Sequence, residues 1–186
     1  MKPDSLFAVE TLPETPPAPA RKKETAVYTR SLRERDPKLP NFLIAGAAKC
    51  GTTAISSYLS QHPDVFLSLL KEPKFISSRF LKFPLRGRGD DYVENFTVKS
   101  FKEYKKLFRK VKNQKAIGEA SVENLYYYKN CIPLIKEYFG EPRIIIILRN
   151  PVDRAFSAFK QLVRDNREQL SFEEGLSQEE NRKLEN

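Results

Sequence analysis

The sequence predicts an α/β domain in which helices flank a central parallel sheet on both sides, so that the domain has three layers. Strand patterns and helix patterns alternate along the chain, which is typical of parallel sheets with helical crossovers. The run Arg143–Leu148 is almost continuously apolar, as in a parallel strand that is buried on both faces and lies centrally. The chain has 186 residues, 40% of them hydrophobic, which is enough for one domain with a real core.

A proline-rich segment precedes the predicted domain. Residues 1–40 hold seven of the thirteen prolines and mix charges without hydrophobic periodicity. A segment of this composition buries too little apolar surface to offset the entropy lost on ordering. We therefore expect a disordered tail or linker over residues 1–40 and a folded domain over residues 41–186.

The first part of the domain has the pattern strand, helix, strand. An apolar strand is predicted at Phe42–Ala47, and a helix at Thr52–Gln61 ends where His62 and Pro63 interrupt it. A short strand is predicted at Asp64–Leu67. The stretch "LLKEPKFI" that follows is predicted to be a loop.

The middle of the domain begins with another loop, predicted around Arg86–Asp91. Apolar residues then recur at helical spacing with lysines between them, which predicts an amphipathic helix. The apolar positions are Phe101, Tyr104, Leu107, Phe108 and Val111. A strand is predicted at Ala116–Glu119, followed by a helix with Pro133 near its first turn and Gly140 at its end.

The last elements follow the isoleucine-rich strand. Pro151 suits the first turn of a helix that runs to about Asp165. Ser171 and Glu174 have the spacing of a capping box, which predicts one more helix start. Ligands of parallel sheets bind beyond the carboxyl ends of the strands, so we expect the functional residues in the loops that follow the strands.

The stretch "IAGAAKCGTT", between the first strand and the first helix, indicates an oxyanion site. Gly46 and Gly51 permit a tight turn. Thr52 and Thr53 offer hydroxyl and backbone N–H groups at the start of the helix. In the usual nucleotide loop, G-x-x-x-x-G-K-[ST], a lysine follows the second glycine, whereas here Lys49 lies inside the loop. An ordinary strand-to-helix turn with a solvated lysine is the alternative interpretation of this loop alone.

A cation, rather than an acid, follows the isoleucine-rich strand. Arg149 comes directly after it, and Ser157 lies about two turns into the next helix, where both side chains can face one crevice. A P-loop kinase or ATPase needs an acidic residue at such a strand end to hold Mg²⁺. Because an arginine suits a phosphate fork, the sequence predicts a site that neutralises phosphate without a metal.

Four successive motifs resemble those of the sulfotransferases that use 3′-phosphoadenosine 5′-phosphosulfate (PAPS). They are "LIAGAAKCGTT", "LLKEPKF", "AIGEAS" and "IIILRNPVDRAFSAF", and the similarity spans about Phe42 to Leu176. The resemblance implies a P-loop NTPase-like sulfotransferase fold with PAPS as the donor co-substrate and no metal. It is strongest to the branch that contains heparan sulfate sulfotransferases and bacterial sulfotransferases.

The same resemblance implies roles for individual residues. The first loop is implied to bind the 5′-phosphosulfate end of the donor through Lys49, Cys50, Gly51, Thr52 and Thr53. Arg149 and Ser157 are implied to bind the 3′-phosphate, which is the group that separates PAPS from ATP.

The motif "KEPKF" contains the candidate general base, Glu72. Sulfuryl transfer needs an acceptor hydroxyl that loses its proton as its oxygen attacks sulfur. Charge builds at the same time on the bridging oxygen of the leaving nucleotide, which Lys49 is placed to stabilise. Lys74 is expected to steady the transferring group or to raise the local positive field. The alternative is that Glu72 only forms an ion pair with Lys71 or Lys74. In the family that the chain resembles, the branch acting on small phenols and steroids uses a histidine base and the heparan-type branch uses a glutamate. The single histidine here, in "SQHPDV", marks a helix end, so the glutamate branch is the better match.

Three features depart from the family pattern. Ala120 stands where heparan-type enzymes usually have a lysine, so the acceptor-side chemistry is expected to differ. Glu119, at the end of a strand, is either an acceptor-side residue or a structural anchor. The chain ends at Asn186, before the last part of a typical family domain, and we therefore expect a C-terminally incomplete domain.

Composition narrows the class of partners. The net charge of +9 favours anionic partners. Residues 99–115 hold eight basic residues against Glu103, and we interpret this run as a solvated helix face, with no nucleic acid expected as a partner. Two cysteines and one histidine have no zinc-site spacing. No apolar run is long enough for a transmembrane segment and residues 1–20 lack a signal-peptide pattern, so we expect a soluble protein. Two cysteines are too few for a disulfide framework, so we expect a reducing compartment, the cytoplasm.

The predicted function is transfer of a sulfuryl group from PAPS to a hydroxyl, or less readily an amine, of a carbohydrate, lipid or other metabolite. One alternative is a P-loop nucleotide kinase or NTPase. A second is a truncated, non-catalytic domain that binds nucleotide or nucleic acid. Neither the acceptor nor the oligomeric state follows from the sequence.

Overall fold

The computed structural model of the chain describes residues 36–85 and 89–184. Its sheet consists of β1 (Phe42–Gly46), β2 (Val65–Leu67), β3 (Ala116–Ala120) and β4 (Arg143–Ile146). The helices are α1 (Thr52–Leu59), α2 (Asp90–Asn95), α3 (Phe101–Lys106), α4 (Glu123–Tyr126), α5 (Tyr128–Phe139), α6 (Pro151–Arg164), α7 (Phe172–Ser177) and α8 (Glu179–Leu184). A 3₁₀ turn lies at Ser77–Arg79.

The strands pair in parallel in the order β2-β3-β1-β4, which confirms the predicted parallel sheet. Phe42 of β1 lies opposite Gly118 of β3. A Cβ atom at position 118 would lie 2.2 Å from Cζ of the Phe42 ring. Glycine at this position therefore lets the two central strands keep their register.

Strand β1 is buried along its whole length because its two faces are covered by different helices. Leu43 belongs to a cluster that includes Tyr104 of α3 and Phe139 of α5. Ile44 points to the other face, where Ile55 of α1 packs against it. Successive side chains of a strand point to opposite faces, so this alternation produces the three layers that the sequence predicts.

Strand β4 lies at the edge of the sheet, so the prediction of a central strand is wrong. β4 pairs only with β1 among the described residues. Ile144 and Ile146 are 48% and 49% exposed, and Leu148 lies beyond the strand end and is 77% exposed. A run of isoleucines shows that a strand is apolar. Whether that strand is central or at the edge of the sheet depends on which other elements pack against it.

The amphipathic helix predicted around Phe101–Val111 is shorter than its apolar spacing suggested. α3 ends at Lys106, and the chain then tightens because Leu107 and Phe108 donate to carbonyl groups three residues earlier. Phe108 and Val111 are nevertheless buried as predicted. Turns of this kind keep apolar residues on one side almost as a helix does, so spacing alone does not separate them.

Two further helices differ from the prediction. The loop predicted around Arg86–Asp91 lies partly outside the described residues, and α2 begins within it at Asp90. α5 begins at Tyr128, so Pro133 lies inside the helix and not in its first turn. The other predicted helices and strands, β4 included, agree with the structure to within two residues at each end.

The C-terminal helices pack on one another through aromatic rings and one ion pair. Phe172 of α7 contacts Phe156 and Phe159 of α6, with ring centroids 5.4 and 5.3 Å apart. The predicted capping box starts α7. Arg182 binds Glu168, and that bond, with two backbone N–H groups, lowers the pKa of Glu168 to about 2.

The predicted tail over residues 1–40 falls largely outside the described residues. Of its last five residues, which the structure describes, Leu39 and Pro40 are buried against the domain. In the described ranges, no helix has the length and apolar character that crossing a bilayer requires.

Candidate active site

The predicted functional residues lie in loops at the carboxyl ends of the strands. β1 leads to the loop with Lys49, β2 to the loop with Glu72, and β4 to Arg149. Because β1 lies between β3 and β4, the Lys49 loop lies between the other two. Strands β2 and β4 are three strand spacings, or roughly 14 Å, apart. A ligand that reaches from the Glu72 loop to Arg149 must therefore pass Lys49.

The loop between β1 and α1 is suited to binding an anion. Gly51 starts α1 with φ +94°, a left-handed conformation that glycine adopts without strain. Within the described chain no side chain caps this helix start, and its first turn holds no acidic residue. Thr52 is buried, Thr53 is exposed, and Cys50 is buried. The first-turn N–H groups have no partner inside the helix, so the loop offers the donors that an oxyanion needs.

Arg149 and Ser157 are positioned by the start of α6. The side chain of Asn150 caps this helix, since its Oδ1 accepts from the N–H group of Val152 at 3.0 Å. Pro151 occupies the first turn. Arg149 is therefore left in the loop just before the helix, and Ser157 lies within it, as the sequence predicts.

The structure brings Lys49, Arg149 and Ser157 together in the wall of one open cavity of about 420 Å³. The remaining wall residues all belong to α6 and are Asp153, Phe156, Lys160, Gln161 and Arg164. This volume is in the range of small-ligand sites. The wall contains four cationic side chains and one carboxylate, so the cavity suits an anion.

A second cavity of about 360 Å³ has the opposite character. Its wall is formed by Asp91, Glu94, Asn95, Thr97, Lys99 and Glu103. Lys99 is paired with Glu94 at 2.6 Å, so the remaining charge there is negative. An anionic donor does not suit this cavity.

The loop that carries Glu72 is anchored by backbone hydrogen bonds on both sides. The Glu72 N–H group donates to the carbonyl oxygen of Ala120, at the end of β3, over 2.9 Å. The Pro73 carbonyl accepts from Val98 over 2.9 Å, and Phe75 is fully buried. The position of Glu72 is therefore fixed by the sheet.

Glu72 lies in a chain of alternating charges. Its Oε1 is 2.6 Å from Nζ of Lys71, and its Oε2 is 3.7 Å from Nζ of Lys74. Lys74 is also 3.4 Å from Oε2 of Glu123, whose other oxygen accepts from Ser77 at 3.2 Å. The ion pair that the sequence offered as an alternative to catalysis is thus present, and Glu123 shares Lys74 with Glu72.

A buried carboxyl group lies beneath this chain. Glu119 is 1% exposed and accepts hydrogen bonds from Ser121 at 3.0 Å and Asn124 at 3.4 Å. Burial, and next the nearby charge of Glu123, raise the pKa of Glu119 to about 8. Ser121 also accepts from the backbone N–H group of Lys74, so the neutral carboxyl group supports the Glu72 loop from below.

Three of the predicted catalytic residues adopt a strained backbone conformation. Among the described non-glycine residues, positive φ occurs at Lys49 (67°), Glu72 (55°), Lys74 (54°) and Asn166 (55°). Such a conformation costs about 1–2 kcal/mol per residue and persists where the surrounding structure fixes it. Strain of this kind concentrates at functional sites, and the sequence patterns gave no sign of it.

Glu123 and Lys160 belong to the site but lie outside the motifs from which the site residues were predicted. Glu123 gave no signal because α4 is a single short turn that has no clear periodicity. Lys160 had a usable signal, since Asp153, Ser157, Lys160 and Arg164 recur at intervals of four, three and four residues. That spacing places them on one face of a helix.

Comparisons of the sequence and of the fold with known proteins all find sulfotransferases. A sequence model described as the sulfotransferase family matches residues 40–185. Human carbohydrate sulfotransferase 15 is 30% identical over 174 residues, which covers 75% of this chain and 30% of that protein. The human bifunctional heparan sulfate N-deacetylase/N-sulfotransferase 2 is 33% identical over 125 residues, covering 66% of this chain and 13% of that protein.

A crystal structure of a sulfotransferase from Alicyclobacillus acidocaldarius is similar in both sequence and fold. It is 44% identical and superposes with a TM-score of 0.74, covering 79% of this chain and 59% of that one. The chain therefore spans about 30% of the carbohydrate sulfotransferase and just under three fifths of the bacterial protein.

Proposed function

The chain belongs to the sulfotransferase family, and on that premise we propose that it transfers a sulfuryl group from PAPS to a hydroxyl group of a carbohydrate. The carbohydrate class comes from the names of the relatives, which include carbohydrate sulfotransferase 15 and a heparan sulfate N-sulfotransferase. The family match does not favour the two alternatives, a nucleotide kinase and a non-catalytic nucleotide- or nucleic-acid-binding domain.

The observation that carries the proposal is that one cavity wall contains Lys49, Arg149 and Ser157. Lys49 comes from the loop after β1, whereas Arg149 and Ser157 come from the loop and helix that follow β4. PAPS has an anionic group at each end, the 5′-phosphosulfate and the 3′-phosphate. We propose that Lys49 and the N–H groups at the start of α1 bind the first, and that Arg149 and Ser157 bind the second.

The proposed reaction moves one proton and one sulfuryl group. The oxygen of the acceptor hydroxyl attacks sulfur in line with the leaving oxygen, while Glu72 accepts the hydroxyl proton. The new O–S bond forms as the bond between sulfur and the bridging phosphate oxygen breaks. Lys49 stabilises the charge on that oxygen, which leaves with adenosine 3′,5′-bisphosphate. Lys74 lies beside Glu72 and neutralises the transferring group.

The first experiment is calorimetric titration of the chain with adenosine 3′,5′-bisphosphate, AMP and Mg·ATP. We expect the bisphosphate to bind most tightly and Arg149→Ala to weaken it by about 10- to 100-fold, as for a lost hydrogen bond between charged groups. Lys129→Ala removes an exposed lysine of α5 that does not line the cavity, and serves as the control. Equal affinity for the bisphosphate and AMP, or preference for Mg·ATP, would contradict the proposed donor.

The second experiment measures transfer of radiolabelled sulfuryl groups from PAPS to polysaccharides. The acceptors are chondroitin and unsulfated heparosan, with a sterol and a simple phenol as non-carbohydrate controls. Transfer to a polysaccharide hydroxyl supports the proposed acceptor class. Transfer to the sterol or the phenol alone would leave the donor assignment intact and contradict the acceptor class.

A further inference from the structure

We infer that Lys160 is a second cationic ligand for the 3′-phosphate of the donor, a role that deepens the proposed function and rests on it. Neither the loop motif nor the strand-end motif contains this residue. It lies on α6, one helical turn beyond Ser157, and lines the same cavity as Arg149.

The geometry of α6 aligns Lys160 with the predicted phosphate ligand. Residues three or four apart on a helix share a face, so Lys160 stands beside Ser157, about 4.5 Å further along the helix axis. Asp153 and Arg164 continue the same face on either side. The cavity therefore extends along α6, beyond the point that Arg149 and Ser157 mark.

Lys160 is held in place without having its charge neutralised. Its Nζ lies 5.3 Å from the centre of the Phe156 ring, a cation–π contact that restrains the side chain. Among the described residues it has no carboxylate partner, whereas Arg164 on the same face is paired with Asp165 at 2.8 Å. Lys160 is thus the cation of this helix face whose charge is free for a ligand.

The charge of the ligand requires a second cation. A phosphate monoester carries between about one and a half and two negative charges at pH 7. Arg149 supplies one positive charge, and Ser157 supplies a neutral hydroxyl group. Asp153 lies in the same wall and repels a phosphate, so Arg149 alone leaves the 3′-phosphate incompletely balanced. Lys160 supplies the second positive charge.

The test compares Lys160→Gln with the wild-type chain in calorimetric titrations with adenosine 3′,5′-bisphosphate and with AMP. We expect a roughly tenfold loss of affinity for the bisphosphate and little change for AMP, which lacks the 3′-phosphate. Lys160→Arg retains the charge and is expected to retain most of the affinity. Lys129→Gln, which removes a lysine outside the cavity, is the matched control, and circular dichroism verifies that each variant is folded.

Three outcomes would overturn the inference. If Lys160→Gln binds the bisphosphate as well as the wild type does, Lys160 is not a ligand, and the proposed donor stands. If affinity for AMP falls equally, Lys160 contributes only a general positive field. If the wild-type chain itself does not prefer the bisphosphate to AMP, the proposed donor is wrong and the role of Lys160 fails with it.

Discussion

The charged groups on the two sides of the site differ in how they are bonded. On the base side, around Glu72 and Glu119, each charged side chain has an internal partner: Lys71 and Lys74 bind Glu72, and Glu123 binds Lys74. On the donor side, four cations line the α6 cavity: Arg164 is paired with Asp165, whereas Lys49, Arg149 and Lys160 have no carboxylate partner in the part of the chain that the structure describes.

The difference agrees with the roles that we propose for the two sides. A general base must be held at a fixed position and angle, and bonds within the protein achieve this before any ligand arrives. Cations that bind a donor with several negative charges are more useful unpaired, because an internal carboxylate would have to be displaced. The open, solvated cavity lets those charges remain hydrated until the donor replaces water.

Removing the carboxylate from the base side is the largest expected effect. Glu72→Gln keeps the shape of the side chain but cannot accept a proton, so kcat is expected to fall by about 10²- to 10⁴-fold. Donor affinity should remain within a factor of about two, since the donor side is intact. The measurement is PAPS-dependent turnover together with bisphosphate titration.

Glu137→Gln is the matched control, because Glu137 is exposed on α5 and lines neither cavity. Wild-type turnover in Glu72→Gln would remove Glu72 from the mechanism. It would also mean that the ion pairs around this residue serve only the fold.

Removing the loop lysine is the next largest effect. Lys49→Ala deletes the cation proposed to stabilise the leaving oxygen, and kcat is expected to fall by about 10²- to 10³-fold. Affinity for the bisphosphate should fall less, since the leaving oxygen gains its charge only in the transition state. Turnover assays compare kcat of this variant with kcat of Lys129→Ala. Weaker bisphosphate affinity with kcat unchanged would assign Lys49 to ground-state binding alone.

The buried carboxyl group under the base side predicts a pH-dependent stability. The pKa of Glu119 is raised from 4.5 to about 8, so the folded protein holds this proton more tightly than the unfolded chain does. Its stabilising contribution is complete below about pH 4.5 and is lost as pH rises toward about 8. The free energy of unfolding should therefore fall by up to about 1.4 kcal/mol per pH unit in this range.

Glu119→Gln isolates that contribution, because the amide stays neutral at every pH. Urea denaturation of both proteins between about pH 5 and about pH 8 should show a difference in unfolding free energy that shifts in favour of the variant as pH rises. Other titrating groups, including Glu168, cancel in this difference. A difference that does not change with pH would mean that Glu119 is charged in the folded protein.

Much of the donor side could be predicted from sequence because its residues are local. Lys49, Gly51 and Thr52 lie within four residues of one another, and a glycine between a strand and a helix defines the loop geometry. Arg149 and Ser157 lie on one strand end and the following helix, whose proline and capping residue are explicit in the sequence. Helical periodicity then relates Ser157 to its neighbours.

The base side could be predicted only in part because its contacts join distant segments. Lys74 and Glu123 are 49 residues apart in sequence and meet only once α4 has packed at the end of β3. Glu119 offered two interpretations, and its burial beneath Ser121 favours the structural anchor. The prediction that β4 is a central strand was wrong for the same reason, since the exposure of a strand depends on what packs against it.

The smallest expected effect tests whether charge or hydrogen bonding dominates the donor side. Ser157→Ala removes a neutral hydroxyl from a wall whose attraction for phosphate comes mainly from Arg149 and Lys160. Affinity for adenosine 3′,5′-bisphosphate should fall by roughly tenfold at most, and by less than in Arg149→Ala.

Ser57→Ala, at an exposed position of α1, is the control. Raising the salt concentration should weaken binding to the wild type and to Ser157→Ala in parallel, because the screened charges are the same in both. A loss in Ser157→Ala larger than that in Arg149→Ala would mean that the hydroxyl group, and not the unpaired cations, orients the donor. The contrast between a bonded base side and a charged donor side would then no longer hold.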